Sequence, residues 1–209
     1  MLLLDLSQVM ISNIITQVGS HTDAIQPDLV RHMILNTILS LKKKYGKDYG
    51  ELVIACDNKK YWRREYFPAY KGNRKADREK SLIDWPALFD MLNTIKQELK
   101  DHFPYRVIDV EGAEADDIIG TLAIQAEEEG YEVYMVTPDK DYGQLVSDQI
   151  KIYKPGYQGS DAEILGPEEV CNKWNITNIE QVIDILGMMG DAVDNIPGIP
   201  GVGEKTAVK

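Results

Sequence analysis

A chain of 209 residues with 44% hydrophobic and 27% charged residues can bury a core, as one domain with a smaller module or as two small domains, which excludes a disordered tail or linker. Its net charge of −11 argues at first against a nucleic-acid partner, because phosphate binding ordinarily draws on excess positive charge. The charge is unevenly divided: residues 59–80 hold nine lysines and arginines against three acids, a local +6 that leaves the rest at −17.

In chain order, Met1–Leu6 is apolar but lacks a basic leader, and Asp5 interrupts it before a signal or membrane span could form. This predicts a cytoplasmic protein with no membrane partner. Leu2–Leu6 reads as a strand and Leu29-Val30-Met33-Ile34-Ile38-Leu41 as an amphipathic helix. Leu52–Cys56 is the next strand, followed at once by Asp57. Beyond the basic segment, Leu88-Leu92-Ile95-Leu99 keeps helical spacing and Arg106–Val110 forms a third strand. Glu114-Ala115-Asp116-Asp117 opens a helix carried by Ile118-Ile119-Leu122-Ala123-Ala126, whose acidic end, Glu127-Glu128-Glu129, reads as solvated. Glu132–Val136 is the fourth strand, followed by Asp139 and Asp141. From about Gly156 turn residues dominate, with helices over Pro167–Trp174 and Ile179–Met189 and no further strand expected. Cys56 and Cys171 have no metal-binding spacing and read as reduced packing residues.

Strands alternating with helices predict an α/β fold, a mostly parallel central sheet flanked by helices, with a core over 1–155 and a helical appendage over 156–209. In a parallel sheet the carboxyl ends of the strands share one edge, so Asp5, Asp57, Asp139 and Asp141, with the acids that open the helix at 114–117, are expected to converge there. Any one such aspartate is ordinarily a turn or cap residue. Four consecutive strand ends weaken that reading, because a concentrated negative cluster repels itself unless protons or cations bind. Oxygen ligands without His or Cys point to magnesium or manganese. Asp191 and Asp194, between a helix and a Pro/Gly-rich turn, suit either a cap or a ligand, and spacing alone favours the cap.

Within 59–80, Tyr61, Trp62, Tyr66, Phe67 and Tyr70 interleave with Lys59, Lys60, Arg63, Arg64, Lys71, Arg74, Lys75 and Arg78. Rings that stack on bases beside cations that take phosphates suit single-stranded nucleic acid, whereas the plainer reading is a solvated loop with aromatics packed beneath. Its position directly behind Asp57 favours function. The run from Ile196 to Ala207 places glycines in a tight turn whose backbone N–H groups can approach a phosphate.

Together these pieces resemble the 5′ nuclease family, which includes flap endonucleases, phage-type ribonuclease H and the 5′–3′ exonuclease domain of bacterial DNA polymerase I. The residues that carry the resemblance are Asp5, Asp57, Tyr70-Lys71-Gly72-Asn73-Arg74, Glu114-Ala115-Asp116-Asp117, Asp139-Lys140-Asp141 and the run from Gly190 to Gly198. The resemblance implies one metal region at Asp5, Asp57, Glu114, Asp116 and Asp139 and a neighbouring one at Asp117, Asp141, Asp191 and Asp194, the last pair becoming ligands rather than caps. It implies two or more Mg2+ ions, with Mn2+ able to substitute, and hydrolysis of 5′-flap, 5′-tailed DNA or RNA–DNA hybrids, as in primer removal alongside replication proteins. Lys71 and Arg74 would neutralise the reacting phosphate. Arg63, Arg64, Tyr70, Lys71, Arg74 and Arg78 would face nucleic acid from an arch spanning about 59–100. Gly198, Gly201, Gly203 and Lys205 would form a helix-hairpin-helix that grips duplex backbone with K+. Tyr61-Trp62-Arg63-Arg64 and Asp84-Trp85 are closer to the phage ribonuclease branch, and the glycine turn to the polymerase branch. Family members continue past the hairpin, so an incomplete duplex grip is expected of a chain ending at Lys209. Two rival readings are a non-catalytic structure-specific DNA-binding member and a PIN-type metal-dependent ribonuclease.

Overall fold

The computed structural model describes residues 1–11, 26–81, 83–156 and 161–209, and of Asp77 only the backbone. Strands β1 (Leu2–Asp5), β2 (Leu52–Cys56), β3 (Arg106–Asp109), β4 (Val133–Val136), β5 (Ile150–Lys154) and β6 (Glu163–Leu165) form one sheet in the order β3-β2-β1-β4-β5-β6. All neighbours are parallel except β6, which runs antiparallel to β5. Strands β1, β2 and β4 are buried along their length, as strands covered on both faces must be.

One face packs Leu2, Leu4, Ile54 and Val136 against helices α1 (Pro27–Tyr49) and, beyond the short helices α2 (Arg63–Tyr66) and α3 (Arg74–Glu79), α4 (Trp85–His102). Helix α4 shows why the sequence folds this way. Asp84 accepts the Ala87 amide at 3.0 Å and caps its start, while Leu88, Met91, Ile95 and Leu99 return every three to four residues to one buried stripe. Burial of each stabilises by roughly 1.5–3 kcal/mol. The other face packs Leu3, Val53, Ala55 and Met135 against α5 (Ala115–Glu128), α6 (Pro167–Trp174) and α7 (Gln181–Met189) through Ile119, Ala123, Val170, Trp174, Val182 and Ile185. The helical region after residue 156 therefore shares the main core.

The expectation of no strand after residue 156 is corrected by β6. Its residues are largely exposed and its pattern is weak, because an edge strand is defined by hydrogen bonds to its neighbour rather than by its own burial. Strand β5, unrecognised in the sequence, has the same dependence on its parallel partner β4, although Ile150 and Ile152 do reach the core.

At the far end, α7 stops at Gly190 (φ +68°), and Gly190–Asp191 (β7) pairs antiparallel with Ile196–Pro197 (β8) before the short helix α8 (Glu204–Ala207). A Cβ at Gly198 would stand 2.2 Å from the Met189 carbonyl oxygen, so only glycine lets this turn close onto the end of α7. Among the described residues no helix is long and apolar enough to cross a membrane.

Candidate active site

The strand order reverses between β1 and β4, and a crevice opens there outside the carboxyl ends of the strands. Register brings the acids to it: Leu4 lies beside both Ile54 and Val136, so the chain emerges from β1, β2 and β4 at one level. The resulting cleft, about 510 Å³, is lined by Asp5, Asp57, Asp116, Asp139, Asp141, Asp191 and Asp194, with Lys71 and Arg74 on the same walls.

Several of these acids use one oxygen to fix local structure. Asp5 accepts the Gln8 amide at 3.0 Å, Asp57 the Ala115 amide at 2.9 Å, and Asp139 the Asp141 amide at 3.0 Å, which starts a 3-10 helix over Lys140–Leu145. Asp191 accepts the amides of Val193 and Asp194 at 2.8 and 3.2 Å. Cap and ligand are thus compatible roles, because a carboxylate has a second oxygen to offer.

Electrostatics marks the cluster as strained. Burial, with Asp57, Asp116 and Asp139 nearby, holds the Asp5 carboxyl well above the usual range. Burial pushes Asp116 up to about 6, opposed by the Tyr142 hydroxyl, which donates at 2.7 Å, and reinforced by Asp139 and Asp57. Asp141 is likewise raised to about 6, by burial and then by Asp139. Asp191 departs from this pattern. Burial would raise it, but Lys140 at 2.9 Å and the two amides hold it below the carboxylate range.

Among the described residues no three potential ligands are drawn into a closed cage. The donor chemistry nevertheless fits hard divalent cations. The described walls carry seven carboxylates and no His or Cys, and burial and mutual repulsion make the ionised forms of Asp5, Asp116 and Asp141 costly without positive charge.

Glu114 and Asp117 are placed differently from the other seven. Glu114, 1% exposed, receives the Lys71 ammonium, Arg63 at 2.9 Å and the Tyr70 hydroxyl at 3.0 Å. Asp117 is gripped by both Nη atoms of Arg63 at 2.9 Å and by the Trp62 indole at 3.2 Å, and accepts the Glu114 amide at 2.9 Å. Neither lines the cleft. Both anchor the basic segment to the start of α5, and the four side chains that donate to these two acids satisfy charges that would otherwise be costly to bury.

Of the cations expected to face nucleic acid, Arg63 is committed to this anchor. Arg64 lies over Tyr61 and donates to the Tyr70 carbonyl at 3.3 Å. Arg74 pairs with Asp194. Arg78 packs over Trp85 and Phe89, and burial together with Arg74 lowers its pKa. Tyr70 is 4% exposed, with its hydroxyl on Glu114 and Asp194, whereas Tyr66 at 82% and Trp62 at 45% are the more exposed rings of the segment. In the hairpin, Gly198 meets protein backbone, Gly201 holds φ +82° in open space, and Gly203 and Lys205 are exposed. Sequence reasoning assigned no role to Tyr142 or Lys140. Their adjacency to Asp139 and Asp141 was the available signal.

A model of the 5′-3′ exonuclease N-terminal resolvase-like domain matches residues 7–175, and one of the 5′-3′ exonuclease C-terminal SAM fold matches residues 177–209. The chain belongs to the 5′-3′ exonuclease family. Ribonuclease H of Enterobacteria phage T4 is 36% identical over 146 residues, 68% of this chain and 48% of that protein. DNA polymerase I of Bacillus caldotenax is 38% identical over 194 residues, 91% of this chain and 20% of that protein. The chain thus spans about half the length of one relative and a fifth of the other. Two bacteriophage T5 structures share the family fold. A 5′-exonuclease with zinc bound has TM-score 0.78 at 22% identity, covering 100% of this chain and 73% of that one. A flap endonuclease variant in a product-mimicking complex with DNA and metal ions has TM-score 0.79 at 23% identity, covering 99% and 72%.

Proposed function

We propose that this chain is a structure-specific 5′ nuclease that hydrolyses phosphodiester bonds in 5′-flap, 5′-ended DNA or RNA–DNA hybrids in replication or repair, with Mg2+ as its metal, Mn2+ as a substitute and K+ at the hairpin. One observation carries the reading: seven carboxylates and the cations Lys71, Arg74 and Lys140 line a single cleft at the switch point of the sheet. Asp5, Asp57, Asp116 and Asp139 are the residues that would hold one ion, and Asp141, Asp191 and Asp194 those near a second. Divalent ions bound there supply acidification of the attacking water and charge neutralisation on the phosphate and leaving oxygen.

The remaining work falls to the protein's own groups. Lys71 and Arg74, held by Glu114 and Asp194, present fixed positive charge at the cleft wall and would neutralise charge that develops on the phosphate. The exposed rings of Tyr66 and Trp62 offer stacking faces to an unpaired strand. The products would be 5′-phosphate and 3′-hydroxyl ends, and replication proteins are the partners this role implies.

The test is cleavage of a 5′-flap DNA labelled at its 5′ end. Wild type should release short labelled products only with magnesium, and Asp139→Asn should slow release by roughly 100-fold or more, the scale of removing one preorganised electrostatic group. Flap binding without magnesium-dependent cleavage by wild type would overturn the proposal.

A further inference from the structure

We infer that Asn73 and Asn195 form a reciprocal clasp that joins the basic segment to the glycine hairpin and thereby positions Lys71 at the cleft. The bonds that join the two segments span 119 and 126 positions of sequence, and the segments meet as facing turns. The Asn195 side-chain amide donates to the Ala69 carbonyl at 2.7 Å, and the Asn73 side-chain amide donates back to the Ala192 carbonyl at 2.7 Å. Between them the Lys71 amide donates to the Asp194 carbonyl at 2.8 Å. Each asparagine therefore ties down the chain on the opposite side of the contact.

The geometry depends on this contact. Lys71 holds left-handed backbone, φ +54°, which costs a lysine and persists only when surrounding bonds fix it, whereas Asn195, φ +58°, is a residue type that enters this region readily. Gly72 fits because a Cβ there would stand 2.9 Å from the Ala69 oxygen, the same oxygen that Asn195 holds. The two acceptors are carbonyls, which only accept, so the clasp needs the NH2 of asparagine. Aspartate has the right shape and no donor.

The consequence is a direct link between the element expected to grip duplex and the lysine expected to meet the phosphate. Lys71 carries its ammonium to Glu114, but the direction in which its side chain leaves the turn is set by the backbone that the clasp holds. The asparagines touch no reacting atom in this scheme. They are positioning residues, and their catalytic role rests on the nuclease reading, whereas the clasp itself does not.

Two measurements separate these levels. Hydrogen exchange at the Lys71 amide reports the clasp without reference to activity. Asn195→Ala and Asn73→Asp should each remove its protection, and wild-type protection in both would overturn the clasp whether or not the chain cleaves DNA. For catalysis, Asn195→Ala should lower kcat on a 5′-flap with magnesium by about tenfold or more with KM changed less than about twofold, as misplacement of a catalytic group does. Added to Lys71→Ala it should cause almost no further loss in kcat, while still lowering Tm as it does alone. If its effect multiplies with that of Lys71→Ala, the asparagine acts through general stability and the positioning role is wrong. If wild type cuts no flap, the nuclease reading and the catalytic role fail together, and the exchange result still decides the clasp.

Discussion

Asp116 shows how one residue can make a fold less stable and more capable. Its carboxyl sits at about 6 in the folded protein against 3.8 in a free chain, raised first by burial. The folded state then binds the proton more tightly than the unfolded one, so this group's contribution to stability is intact below pH 4 and is lost as pH rises to about 6. Asp116→Asn removes that loss. In the metal-free protein it should stabilise at pH 7 by about 1–3 kcal/mol, seen as a higher Tm, while abolishing most of the Tm increase that magnesium gives wild type. A variant no more stable than wild type at pH 7 would show that the acid is already compensated. Asp116 was readable in the sequence because it opens the helix behind the third strand, and Asp5, Asp57 and Asp139 because they follow apolar strands. The partners of Glu114 and Asp117 were not, since Arg63 and Asp117 are separated by 54 positions and nothing local announces their bond.

Elements defined by their own periodicity were legible, and those defined by a neighbour were not. Helices α1, α4 and α5 and strands β1 to β4 carry their pattern internally, whereas β5 and β6 acquire their identity from pairing. The glycine hairpin lies between these cases. Its composition announces a turn, but the sequence suggested that its glycines approach phosphate, and for Gly198 the structure gives another reason, the contact with Met189. A methyl group there meets backbone that cannot step aside. Gly198→Ala should therefore pull the turn off α7, lowering Tm by several degrees and weakening binding to a flap that contains duplex more than binding to a single strand of equal length. Equal weakening of both substrates would mean that the hairpin does not select duplex.

At the scale of the molecule, the proposed function requires a protein of charge −11 to admit a polyanion to a cleft lined by seven aspartates. Only part of the basic segment is free to help. Arg63, Lys71 and Arg74 are paired with Glu114, Asp117 and Asp194, so their charge is partly offset even though Lys71 and Arg74 line the cleft. Two divalent ions would bring four positive charges to the point where the phosphate enters. They would also compete with Arg74 for Asp194, releasing a cation toward the substrate. Affinity for a 5′-tailed duplex should thus be higher with magnesium than with a chelator, by an amount that grows as salt is lowered and screening weakens. Measured on a tailed duplex whose backbone carries non-hydrolysable linkages to suppress cleavage, the gain should shrink in Arg74→Ala, which lacks the cation to be released. Affinity indifferent to chelation would mean that phosphate is held elsewhere, on the exposed lysines and aromatic rings of the basic segment, and that the metals serve chemistry alone.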